Sequence, residues 1–326
     1  MSSSIKWGIL GLGKIAHKFA SDLILIEDCE LKAVASSSED RAKIFANKYG
    51  LETFYGSYDY LYEDESIDII YIASLNQNHH GHVIQAIKHG KAVLCEKPLA
   101  VNYRQAKEML DCARENQVFL MEALWTRFNP TFEQILRWIN EGEIGKLRYI
   151  NATFSFNGLN NDLDSRLFNP AKGGGSLLDI GIYPLFLSLS ILGKPNNIKA
   201  SAVLSETGVD EQIGMLLTYD QSQAILYSSY VHNEDMRATI CGEKGEIYLE
   251  SRWHETANLK LVKEGNIYKK TFDFIGKGYS YEIEEANWCL RNKKTESTKW
   301  SLQCSLDLVE LMDQIRKQTG IRYPMD

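Results

Sequence analysis

The first 122 residues repeat one pattern: a short continuous apolar run, a turn, then a helix of amphipathic period. Ile5–Leu10 is the first run, and after a glycine-rich turn the periodicity predicts a helix over Lys14–Leu23. Leu31–Ala35, Thr53–Tyr55, Ile67–Ala73, Lys91–Cys95 and Val118–Met121 read as further strands. Glu39–Tyr49, His79–His89 and Asn102–Asn116 read as the helices between them, the last with Asn102 as its N-cap. Strands that are apolar on both faces and alternate with helices imply βαβ units and a parallel sheet covered on both sides. The expectation is an α/β chain whose residues 1–122 form a doubly wound Rossmann domain.

Beyond residue 122 the rhythm changes. Pro130–Asn140 looks helical. Alternating stretches follow at Asn151–Phe156, Ile198–Ser205, Ile213–Tyr219, Gln223–Tyr230, Arg237–Cys241, Glu246–Glu250, Ala257–Lys263 and Ile267–Phe274. Their short Gly- or Asp-containing links suggest a large, mainly antiparallel sheet. Helices are expected at Ser176–Leu192, Tyr281–Arg291 and Ser301–Gln318. Residues 123–326 are therefore read as an α+β domain for substrate binding and oligomerisation. Its sheet has helices mainly on one side, so the open face calls for cover by a second copy, in a homodimer or homotetramer.

Composition narrows the function. Lys and Arg number 36 against 43 Asp and Glu, a net charge of −7, which argues against nucleic acid or an anionic membrane as the main partner. Six scattered cysteines without a CxxC pair suit a reducing compartment rather than a disulfide framework or a zinc site. The longest apolar run, Ile180–Leu192, falls short of the roughly 20 residues of a membrane helix and contains Gly181 and Pro184. A cytoplasmic location is expected. His79, His80 and His82 offer at most two ligands to one helix face, so no metal is expected.

The glycine-rich turn reads Gly8-Ile-Leu-Gly11-Leu-Gly13-Lys14-Ile15-Ala16. Gly11 permits the tight bend, Gly13 admits a pyrophosphate to the backbone, and Ala16 keeps the helix close to the strand. The helix N-terminus at Lys14 and Ile15 offers N–H groups and a positive dipole end. Dinucleotide sites that prefer NAD place a carboxylate at the end of the second strand. Here that place is Ser36-Ser37-Ser38, with Arg41 following, which favours NADP and leaves NAD possible.

Two further segments carry chemistry. The fifth strand ends in Glu96-Lys97-Pro98, at the carboxyl edge where doubly wound sheets bind ligands. Gly173-Gly-Gly-Ser-Leu-Leu-Asp179-Ile-Gly-Ile-Tyr183-Pro places a carboxylate and a phenol four apart on a helix. A carboxylate and a phenol together can orient a substrate hydroxyl and move its proton, and a nearby ammonium such as Lys97 would favour the phenolate. Arg166 precedes the glycine bend and can reach the same pocket.

In combination these motifs resemble the Gfo/Idh/MocA oxidoreductase family over nearly the whole chain. Tyr183, Met121-Glu-Ala-Leu-Trp125-Thr-Arg127-Phe128 and the closing Gly320-Ile-Arg-Tyr-Pro are similar to the branch of dimeric dihydrodiol dehydrogenase, aldose (xylose) dehydrogenase and glucose–fructose oxidoreductase. The resemblance implies that Tyr183 is the acid–base, that Lys97 assists it and that Asp179 binds substrate. It also implies a pocket lined by Trp125, Arg127 and Phe154, and cofactor contacts from Ser74, Asn76 and His79. Two positions depart from the family: Ser37 stands where NADP-preferring relatives often have Arg, and Ser74-Leu75-Asn76 replaces Thr-Pro-Asn. The activity implied is hydride transfer between a nicotinamide and a hydroxyl-bearing carbon of a sugar, polyol or cyclic trans-diol. The alternatives are a catalytically silent nucleotide-binding regulator and an NAD-cycling glycosidase. The serine-lined strand end yields a direct test: Ser36→Asp should weaken NADP binding more than NAD binding in a titration of both, and tighter NAD binding by the unmodified chain would refute the premise.

Overall fold

The structure is a computed structural model and describes residues 4–326, so the first three positions of the expected 1–122 domain lie outside the described residues. Contacts divide the chain into two compact units, 1–129 with 274–306 and 130–273 with 307–326. The sequence reading cut the chain once, after residue 122. The grouping by contacts instead returns Phe274–Leu306 to the first unit.

The first unit is built on six parallel strands: β1 (Ile5–Leu10), β2 (Cys29–Ala35), β3 (Thr53–Tyr55), β4 (Ile69–Ile72), β5 (Ala92–Glu96) and β6 (Leu120–Ala123). Their order in the sheet is 3-2-1-4-5-6, the doubly wound arrangement, whose order reverses between β1 and β4. The strands are buried through Ile9, Leu10, Val34, Ile69, Ile70, Val93 and Leu94. Helices α1 (Lys14–Leu23), α2 (Glu39–Tyr49), α3 (Tyr58–Glu63), α4 (His79–Lys88) and α5 (Tyr103–Asn116) complete the crossovers. Ser38 caps α2 through Arg41 N, and Asn102 caps α5 through Gln105 N. The six-residue α3, Tyr-Asp-Tyr-Leu-Tyr-Glu, has no expectation in the sequence, because one and a half turns carry no readable period.

The second unit begins with α6 (Pro130–Asn140) and holds eight strands: β7 (Leu147–Ser155), β8 (Asn197–Leu204), β9 (Asp210–Thr218), β10 (Gln223–Ser229), β11 (Ala238–Gly242), β12 (Gly245–Leu249), β13 (Asn258–Lys263) and β14 (Asn266–Thr271). The sheet order is 14-13-12-11-7-10-9-8, antiparallel except where β7 runs parallel to β10. Ile213, Met215 and Leu217 alternate inward along β9, as a one-sided sheet requires. Helix α7 (Ile182–Leu192) lies on β7 and β10 and is buried from Ile182 to Leu189, as a helix apolar all round must be. The stretch Pro170–Leu192 is long and apolar enough by composition to cross a membrane, and 78% of its most apolar window is buried in the fold. That length exceeds the Ile180–Leu192 run of the sequence reading. The opposite sheet face carries the cross-strand row Leu216, Ile225, Asn151, Thr239 and Tyr248, with Ile225 46% exposed.

Two helices end the chain, α8 (Ser280–Arg291) and α9 (Leu302–Thr319). The return of α8 to the first unit has a specific chemistry. Trp7 Nε1 donates to Asn287 Oδ1 at 3.0 Å across 280 residues of sequence. Asp22, buried at the end of α1, accepts from Lys277 N at 2.8 and 2.9 Å and from Tyr279 N at 2.9 Å. At Gly276, with φ +61°, a Cβ would stand 2.4 Å from Asp22 Oδ1. Replacing Asp22 with Ala leaves two backbone donors without their acceptor at roughly 1–3 kcal/mol each. Denaturant unfolding of Asp22→Ala should therefore show a loss of about 2–6 kcal/mol, and a loss under about 0.5 kcal/mol would show that the anchor is dispensable.

Candidate active site

In the first unit the groups gather at the carboxyl ends of the strands. Gly11 (φ +86°) passes so close to the next strand end that a Cβ would sit 2.9 Å from the Ala73 carbonyl and from Ser74 N. Gly13 is the N-cap of α1 and is exposed. A Cβ there would touch nothing in the chain within 4 Å, so packing within the chain does not account for this glycine. Lys14 and Ile15 open α1 beside it. Gly8, the first glycine of the motif, is buried within β1, where a Cβ would press on Leu61 at 2.9 Å, so the close packing of α3 calls for a glycine.

At the end of β2, buried Ser36 accepts from Ser38 N at 3.3 Å. Exposed Arg41 donates from Nη2 to Ser37 Oγ at 2.9 Å, which holds a guanidinium over the serine cluster. Half-buried Ser74 and Asn76 lie on the loop after β4.

Lys97 follows β5, half-buried, and its bond to Pro98 is cis. Glu96 points back into the unit, where it accepts from the Tyr71 hydroxyl and from Lys97 N. It thereby supports the Lys97 backbone. His79 is fully buried, with Nδ1 2.9 Å from Pro98 O and Nε2 3.1 Å from Ser74 O. Burial, followed by the Lys97 charge, lowers its pKa, while the carbonyls raise it. The neutral ring donates to one carbonyl at a time, so His79 ties the Ser74 loop to the Pro98 loop. Glu122, missed in the sequence, anchors the same loop by accepting from Leu99 N at 2.9 Å and Trp300 Nε1 at 3.0 Å. His80 pairs with Glu108 and His82 with Tyr62, so these histidines go to separate partners.

Trp125 stacks on Tyr279 with ring centroids 4.9 Å apart and planes at 18°. Arg127 is buried, with Nε donating to Lys299 O at 2.9 Å, which ties it to the loop before α9.

In the second unit the structure joins Asp179 to Arg166 and, four residues further along the chain, packs Tyr183 on Phe154. The segment Leu177–Gly181 is a π-helical turn leading into α7, where the sequence suggested uninterrupted α-helix. Such single-turn widenings recur at functional sites. Asp179 Oδ2 accepts from Arg166 Nη1 and from the Tyr230 hydroxyl, each at 2.9 Å. The Asp179 carboxylate raises the Arg166 pKa. Burial, then Asp179, pushes the Tyr230 phenol well above its ordinary range, so it remains a neutral donor. Tyr230 also reaches Gly175 O at 3.1 Å and shares its one hydroxyl proton between the two acceptors.

Tyr183 is largely buried against two rings, with Phe154 at 5.5 Å and His254 at 5.3 Å between centroids. Phe154 and His254 stack at 4.2 Å. His254 enters from the loop before β13, which Trp253 fixes by donating from Nε1 to Thr153 O at 2.8 Å. Tyr230 and His254 escaped the sequence reading. The only signal for His254 is the Arg-Trp-His-Glu run inside an otherwise polar loop. Chemically the cluster offers a carboxylate with two donors fixed on one oxygen and a phenol in a dry aromatic wall.

Residues 5–124 match the oxidoreductase family with an NAD-binding Rossmann fold, Gfo/Idh/MocA, and residues 132–248 match the C-terminal domain of the same family. The trans-1,2-dihydrobenzene-1,2-diol dehydrogenase of Xenopus tropicalis is 36% identical over 98% of this chain and 99% of its own. The scyllo-inositol 2-dehydrogenase (NADP(+)) of Bacillus subtilis is 31% identical over 99% of both chains. A 3-ketoreductase from Actinomadura kijaniata, solved with NADP and TDP-benzene, shares the fold with a TM-score of 0.86 at 24% identity, covering 97% of this chain and 98% of its own. With both domains matched and full-length relatives above 30% identity, the chain belongs to the Gfo/Idh/MocA family of NAD-binding oxidoreductases.

Proposed function

We propose that this oxidoreductase is an NADP-dependent dehydrogenase or reductase acting on a hydroxyl-bearing carbon of a sugar, polyol or cyclic trans-diol. The observation that carries the reading is the Asp179 carboxylate held by Arg166 and Tyr230, four residues before the ring-packed Tyr183. The names of the full-length relatives, a ring trans-diol dehydrogenase and an inositol dehydrogenase, support the substrate class. Ser36 and Ser37 with the tethered Arg41 support NADP, since hydroxyls and a guanidinium suit a 2′-phosphate where a carboxylate would repel it. The six unpaired cysteines fit a reducing, cytoplasmic compartment.

When bound, the nicotinamide dinucleotide supplies the redox step, as acceptor or donor of hydride. Gly13 and the first turn of α1 would hold its pyrophosphate, and Ser36, Ser37 and Arg41 its ribose phosphate. Asp179, its Oδ2 fixed by Arg166 and Tyr230, accepts a substrate hydroxyl and orients it. Tyr183 takes the proton of the reacting hydroxyl during oxidation and returns it during reduction. Lys97 is the assisting cation of this reading and favours the phenolate. Phe154 and His254 keep water from the Tyr183 ring.

Tyr183→Phe removes the hydroxyl and leaves the ring. Turnover at saturating cofactor and substrate should fall by roughly 10²–10⁴, with cofactor affinity little changed. Activity within about threefold of the parent would remove Tyr183 from the mechanism. Lys97→Met should slow turnover and move the alkaline limb of the pH profile upward. The substrate class is tested by a panel of cyclic diols, inositols and aldoses with both cofactors. Binding without turnover would support the regulator, and aglycone release with retained cofactor the glycosidase.

The outer sheet face, with Leu216, Ile225 and Tyr248 in one row, supports assembly into a homodimer or homotetramer through that face. Sedimentation at micromolar concentration should give a multiple of 37.1 kDa, and a pure monomer would refute it.

A further inference from the structure

Asp210 opens β9 and is wholly buried. Its Oδ2 accepts from Ser176 Oγ and from Leu177 N, each at 2.7 Å. These groups stand where the glycine bend becomes the π-helical turn. Oδ1 has no hydrogen-bond partner among the described residues and lies against Gly175 (φ +109°), where a Cβ would sit 2.4 Å away. Other side chains grip the same bend. Tyr323 donates to Gly174 O at 2.6 Å, Tyr230 reaches Gly175 O, and Ser228 Oγ lies 3.0 Å from Ser176 Oγ. Among them Asp210 alone brings a carboxylate to the first groups of the turn.

We infer that Asp210 is a positioning residue for the oxidoreductase reaction, its carboxylate fixing the start of the turn that carries Asp179 and leads into α7 with Tyr183. Its hydrogen bonds go to Ser176 and Leu177, so it acts through the backbone. The inference rests on the reading that Asp179 and Tyr183 handle the substrate. Asp179 follows Leu177 by two residues, and a displacement of about 1 Å at a reacting group can lower the rate about 10²-fold.

The surroundings make this grip dependent on pH. Facing Asp210 are the Tyr323 phenol from the C-terminal segment and the Tyr230 phenol after β10, with Asp179 and Arg166 beyond the latter. Arg316 lies over the Tyr323 ring, and Asp326 bonds to that arginine. Burial holds both phenols well above their ordinary range, so they stay neutral. Burial also pushes the Asp210 carboxyl up to about 7, against the pull of the Ser176 and Leu177 bonds. Below about pH 7 the acid is neutral and accepts weakly. Above it the carboxylate takes both bonds with charge assistance.

The experiment compares the pH profiles of kcat for the parent, Asp210→Asn and Ser176→Ala, together with cofactor affinity. Asn keeps the shape and mimics the neutral acid. Asp210→Asn should lower kcat at pH 8 by roughly 10–100-fold, leave the cofactor Kd within about twofold, and abolish an acid limb near pH 7 that the parent shows. Ser176→Ala should lower kcat and keep the limb. If Asp210→Asn stays within about threefold of the parent with the limb in place, while Tyr183→Phe is inactive, the inference fails and the functional reading stands. If Tyr183→Phe is fully active, the functional reading fails first. Should Asp210→Asn not fold, Ser176→Ala decides, and an unchanged kcat there overturns the inference.

Discussion

Backbone pressed against a buried carboxylate is the constraint on which the second unit depends. The chain must enter α7, which is apolar on every side, directly from a polar bend of three glycines. Carbonyl and amide groups at such an entrance lie away from water and need partners from the protein. Tyr323, Tyr230 and Asp210 supply them, and Asp210 and Tyr323 occupy the space a Cβ at Gly175 would need. The glycines and the three polar side chains are one solution to one packing problem. Asp179 and Tyr183 inherit their places from it.

The first unit solves the matching problem at its strand ends. Loops after parallel strands must hold definite shapes without a hairpin partner. Here side chains bonded to backbone do this: His79 between Ser74 and Pro98, and Glu122 on Leu99 N. The core tolerates further buried acid nearby. Burial, then the charges of Glu96 and Asp22, keeps Glu282 well above the usual carboxylate range and therefore neutral. The Phe19 ring stacks on Tyr71, whose hydroxyl serves Glu96. Polar order at the sheet edge is thus carried by residues that have no exposed surface.

Periodicity and punctuation made much of this architecture readable. Asn102 caps the helix it was expected to cap, and Gly11 has the positive φ its turn demands. The alternating strands of the second unit lie within a few residues of their expected bounds. Local signals could not show pairings between distant segments. The parallel contact of β7 with β10 joins stretches some 70 residues apart and depends on what lies between them. The widened turn at Leu177–Gly181 looks like ordinary helix in the sequence, and Asp210, which bonds its first amide, is 33 residues downstream of Leu177. Tyr230 and His254 belong to the Asp179 and Tyr183 cluster by tertiary packing alone. Gly8, Glu96, His79 and Arg127 stand where family motifs suggest ligand contact, and their burial is a tertiary fact that no local signal shows.

The return of residues 274–306 to the first unit has a consequence for synthesis. When a ribosome has made the first 129 residues, all six parallel strands exist, yet their sheet is incomplete as a unit. Asn287 has not reached Trp7, the loop at Lys277 has not reached Asp22, and Trp300 has not reached Glu122. The nascent half must wait, with part of its surface uncovered, through the making of some 144 further residues (130–273) that fold elsewhere. Emergence of α8 is then the event that seals it, so the nucleotide half, begun first, is finished late.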